Sequence, residues 1–163
     1  MTGHEPVERE LRARRRLRRG ALATIVLLAI MNAAGTYLNL YVAIDTTNDY
    51  NTVFSALFGS AAGVLHFLVA LGLFFAVLGT IVNARRSGDA RLLAFSVVGL
   101  LAFLVAAYSG YHFIYSGEEG YSFWMEMGFL GVVLAEVAIL ARLGRLTHES
   151  TIVLPPAVAP STP

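Results

Sequence analysis

The side chains of this sequence that could do chemistry are few, and the main ones stand inside long apolar runs. His66, Met125, Glu126 and Met127 form the central group. Neutral imidazole and thioether suit the axial positions of a porphyrin iron, so His66 with Met125 or Met127 is a candidate ligand set for haem b. His66 with Glu126 or Tyr108 offers instead the hydrogen-bond donor and proton carrier that a quinone head, or another apolar ligand, would use. His112 ranks below these, because it stands near the polar end of its own run. A metal held by His66, His112 and Glu126 has acceptable ligand types, but the position of His112 counts against it and no metal site is expected. No phosphate loop, dinucleotide glycine fingerprint or nucleophile triad order stands out. No catalytic residue is therefore assigned, and catalysis of the soluble type is not expected. With no cysteine in 163 residues, disulfides, thiol catalysis and cysteine zinc sites are excluded.

The elements that must position these residues are membrane spans. Hydrophobic residues make up 56% of the chain and charged ones 14%, with a mean hydropathy of +0.65, which is not the composition of a soluble domain. A hydrocarbon core of about 30 Å needs roughly 20 apolar residues as a helix. The sequence supplies that length four times, at about 21–44, 55–82, 92–115 and 121–141. The expected fold is an all-α integral membrane protein, an antiparallel bundle of four transmembrane helices. Residues 1–20 form an arginine-rich segment before it, and 143–163, which hold four of the five prolines, read as a disordered tail.

Charge placement gives the direction. All 12 basic residues are arginines: seven before the first run, Arg85, Arg86 and Arg91 between the second and third, and Arg142 and Arg145 after the fourth. The two opposite connections carry Asp45, Asp49, Glu118 and Glu119. Arginine-bearing loops face the cytoplasm, so both termini are expected there, in a multi-pass protein of the cell membrane. The arginine tract is read as a topology signal, and as a segment able to lie on an anionic inner leaflet. No nucleic-acid partner follows from a net charge of +1.

Counting about 1.5 Å per residue from the middle of each run puts His66 and Glu126 roughly 7 Å outward of centre, and His112 about 13 Å outward. Thr36, Tyr37, Asn39 and Tyr108 fall in the same outer half. This polar layer can hold a cofactor, or it can simply fix helix register through hydrogen bonds among His66, Glu126, Tyr37 and Asn39. Gly59, Ala62, Gly63, Ala70 and Gly79 would let a neighbour approach the histidine's helix. Glu136, nearer the cytoplasmic end, is expected to pair with Arg85, Arg86 or Arg91. Aromatic residues around 111–124 form an interfacial belt. Tyr37 aligns with Tyr108 and Tyr41 with His112, which suggests a two-plus-two internal repeat.

The segments Asn39-Leu40-Tyr41-Val42, Leu65-His66 and Ser122-Phe123-Trp124-Met125 together resemble an uncharacterised family of small four-helix membrane proteins from actinobacteria and archaea. The resemblance covers about residues 21–142 and implies topology alone; His112 departs from its pattern. A more distant likeness is to four-helix haem-b membrane proteins such as each half of haem A synthase. These carry ligands in the second and fourth helices, where this chain has His66 and then Met125, Glu126 and Met127 in place of a second histidine. Two functions stay open: a membrane protein binding haem b or another apolar cofactor in its outer half, and a non-catalytic accessory subunit of a membrane complex or homo-oligomer.

Overall fold

The computed structural model describes residues 4–41, 51, 54–55 and 58–152. Four long helices dominate these residues: α1 (His4–Tyr41), α2 (Ala61–Ser87), α3 (Ala90–Ser116) and α4 (Glu119–Ile152). There is no strand among the described residues. All four helices are long and apolar enough to cross a membrane.

Local sequence fixes the boundaries. Ser60 adopts extended backbone and its hydroxyl accepts the Gly63 N–H, so α2 starts six residues later than the hydrophobic run suggests. Gly88, at φ 72°, closes α2 and donates its N–H to the Arg85 carbonyl. The next residue, Asp89, caps α3 by accepting from the N–H groups of Arg91 and Leu92. Gly117, at φ 71°, ends α3 in the same way. Left-handed backbone at both helix ends is open to glycine and strained for a side chain with a Cβ.

Two boundaries differ from expectation. The arginine-rich segment is the first part of α1, continuous with the apolar stretch, and it is rich in good helix formers. Glu8 pairs with Arg12 at 3.3 Å and Glu10 pairs with Arg14, each one turn apart. At the other end, α4 runs on to Ile152, so residues 143–152 of the expected disordered tail are helical; the rest lies outside the described residues. The reason is a shared apolar cluster beyond the arginine boundary. Leu17 and Ala21 of α1 pack with Ala84, Leu92, Ile139 and Leu143, and Leu146 lies against them.

A second cluster holds Leu28, Val69, Leu73, Val77, Phe103 and Val132. α1 packs mainly on α2 and α3 mainly on α4, with lighter seams joining the two pairs. Small residues set the closest approach. A Cβ on Gly128 would stand 2.6 Å from the Ala106 nitrogen, and one on Gly131 would stand 2.8 Å from the Ala102 Cβ. The α3 and α4 backbones therefore nearly touch, as helices do where small side chains line the seam. Outward faces remain apolar: Leu40, Phe75 and Leu134 are all at least 60% exposed.

Candidate functional site

The group at the end away from the arginines is built on the last turns of α1 and α3 and the first turns of α2 and α4. His66 lies on α2 with its ring turned toward α1. A Cβ at Gly35 would stand 3.3 Å from its Cε1 and 3.5 Å from its Nδ1. Nδ1 itself is buried and has no hydrogen-bond partner. Gly35 is thus the residue that admits the imidazole. The sequence reading looked for small neighbours on the histidine's own helix and overlooked this glycine on the facing one.

Met125 is placed differently. Its Sδ faces α3, 3.2 Å from where a Cβ of Gly110 would be. Met127 is 40% exposed and Glu126 is exposed too, on the outside of the bundle. The imidazole and the Met125 thioether each fill a notch opposite a glycine, on different neighbours, and Met127 points away from both. The structure thus seats His66 against α1 and Met125 against α3. His112 sits in an aromatic cluster, with ring centroids 4.4 Å from Tyr108, 5.4 Å from Tyr111 and 5.0 Å from Tyr121. Tyr37 and Tyr41 form the matching pair on α1, 5.0 Å apart. Among the described residues no three of His, Cys, Asp and Glu are grouped to hold a metal ion.

The most secluded polar residues lie at the other end. Thr24, Thr80, Ser96 and Glu136, one from each helix, are each at most 1% exposed. Along every helix they fall between the two apolar clusters: Ala21 and Leu28 flank Thr24, Val77 and Ala84 flank Thr80, Leu92 and Phe103 flank Ser96, and Val132 and Ile139 flank Glu136. Each hydroxyl donates to its own helix, to the carbonyls of Gly20, Val77 and Leu92. Such internal bonding lets Ser and Thr enter an apolar core without an orphaned donor. Glu136 has no such recourse, and its Oε2 is buried without a partner.

The expected pairing of Glu136 with an arginine is not what forms. Arg85, Arg86 and Arg91 are exposed, while Arg142 donates from Nε and Nη2 to Asp89 Oδ2, at 3.0 and 2.9 Å. Asp89 is the better partner because it already sits at the arginine end, in the α2–α3 turn, with its other oxygen capping α3. Burial alone would raise the Asp89 carboxyl, but the Leu92 amide, the Arg142 guanidinium and the Arg91 amide outweigh it and hold it below the usual value of 3.8.

The fold and these residues define a class, an all-helical bundle of four helices each long and apolar enough to cross a membrane, with an aromatic end and a polar layer buried toward its arginine end. No family model, curated protein or solved structure matches the chain.

Proposed function

We propose that the chain is a non-catalytic, multi-pass subunit of a larger assembly in the cell membrane, its four helices antiparallel and both termini cytoplasmic. The orientation rests on the arginines, all of which fall at one end of the four helices. The contact series Gly20 with Thr80 and Gly35 with His66, and Gly99 with Ala135 and Gly110 with Met125, supports the antiparallel pairing and a two-plus-two arrangement.

The observation that carries the subunit reading is Asn32. It is exposed on α1, one residue from the middle of the 21–41 apolar stretch, with Ala29, Ala33 and Thr36 exposed around it. A carboxamide facing hydrocarbon at mid-membrane is costly. On a face with small residues one turn apart it is the means by which another helix is bound. Glu126 on α4 repeats the situation with a carboxylate nearer the surface. The occupant of these faces is a second copy or a partner span.

The mass of the protein in a mild detergent tests this. The wild type is expected to run as a homo-oligomer or with a partner, and Asn32→Leu is expected to shift it toward the single chain. A monodisperse wild-type monomer with no companion would refute the proposal. The cofactor reading keeps one observation in its favour, the unpartnered Nδ1 of His66. It is tested on protein from a haem-supplied host. No Soret band is expected; a band that His66→Ala abolishes would restore that reading.

A further inference from the structure

We infer that the arginine end of the bundle carries a built binding site for the headgroup of an anionic phospholipid from the inner leaflet. A cavity of about 340 Å³ lies there, between the first part of α1 and the end of α2. Its lining is Arg9, Arg12, Ala13 and Arg16 from α1 with Asn83 and Arg86 from α2, four guanidinium groups and no carboxylate. The α1 residues are spaced so that they share one helix face. The α2 pair, three apart, lies opposite.

Guanidinium groups converging on one hollow make it a favourable place for an anion. Glu8, one turn before Arg12 and paired with it at 3.3 Å, neutralises part of the charge, but it lies outside the lining. Asn83 spends its Nδ2 on the Gly79 carbonyl. The donors offered to a guest are chiefly the guanidiniums of Arg16 and Arg86, whose planar forks match phosphate oxygens two at a time.

Position selects the lipid over a soluble anion. α1 becomes apolar at Gly20, which leaves Arg16 about 6 Å and Arg9 about 16 Å outside the hydrocarbon boundary at 1.5 Å per residue. Arg16 and Arg86 then stand at headgroup depth, which is roughly 5–8 Å thick on each side. A soluble anion would gain only the charge contacts, whereas a lipid keeps its chains in the bilayer while its phosphate enters the hollow.

The inference rests on the membrane orientation proposed above, but its test does not, because lipid preference is measured on purified protein whichever way it inserts. Native mass spectrometry and thermal stability in a neutral detergent are read with cardiolipin, phosphatidylglycerol, phosphatidylcholine or inorganic phosphate added. Bound-lipid peaks and stabilisation are expected with cardiolipin and with phosphatidylglycerol, and none with phosphatidylcholine or phosphate. The double variant Arg16→Gln/Arg86→Gln should weaken cardiolipin binding roughly tenfold or more, while Arg145→Gln, outside the cavity, should leave it unchanged. Equal loss in Arg145→Gln would mean diffuse charge attraction and overturn the site. Equal stabilisation by inorganic phosphate would overturn the lipid assignment, and equal retention of phosphatidylcholine would overturn both.

Discussion

Glu136 is the residue whose surroundings least explain it. It is 1% exposed, its Oε2 has no partner, and the hydroxyls of the same layer have committed their protons to backbone carbonyls. A buried polar group without a partner costs about 1–3 kcal/mol relative to one that is paired. Glu136→Met, which keeps length and approximate volume, is therefore expected to raise stability by about that amount. Denaturation of both forms in the same detergent measures the difference. A loss of stability in Glu136→Met would mean that the carboxylate is satisfied by a group outside the chain, such as water, an ion or a neighbouring subunit.

At the scale of the helices, Asp89 does two jobs that meet in one carboxylate. One oxygen caps α3 and the other holds Arg142 of α4, so the α2–α3 turn is tied to the helix that follows. Because its folded carboxyl titrates below 3.8, the stabilisation is complete above that value and is lost as the pH falls through the lower, folded one. Asp89→Asn keeps a competent cap and removes the charge. It is expected to cost about 1.5–3 kcal/mol near neutral pH, with the gap to wild type closing as the pH falls below 3.8 and through the lowered folded value. A pH-independent gap would show that shape rather than charge matters. The same contact shows where sequence reading stops. The four helices were legible from run length, but the choice of Asp89 over Glu136 as the carboxylate that meets an arginine depends on how two helices rotate about their axes. Periodicity is silent on rotation when a span is apolar all round, as α2 is. For the same reason Met127 and Glu126 could be assigned a depth but not a side, and they turn out to be exposed. The notch at Gly35 that receives His66 lies on another helix, 31 positions away in sequence, and no local pattern links the two.

The whole molecule is asymmetric along its long axis. One end carries rings, His112 among its tyrosines and Phe123 against Trp124 at 5.5 Å; the other carries all 12 arginines and helices that continue past the apolar stretch. The orientation proposed above, with the arginine end cytoplasmic and the aromatic end outside, follows from this asymmetry by the positive-inside bias. Fusion of a reporter to the C-terminus tests this: a fluorescent protein that matures only in the cytoplasm should light up, and a phosphatase that needs the oxidising exterior should stay inactive. The bias should also be reversible by degrees. Neutralising Arg14, Arg15, Arg18 and Arg19 leaves Arg9, Arg12 and Arg16 of the cavity untouched, and the remaining arginines after α2 and α4 should keep most molecules correctly oriented. Neutralising Arg85, Arg86, Arg91, Arg142 and Arg145 as well should give a mixed population, seen as phosphatase activity that rises as fluorescence falls. If the first set alone inverts the protein, insertion is decided at α1 and the later arginines serve packing and headgroup contacts instead.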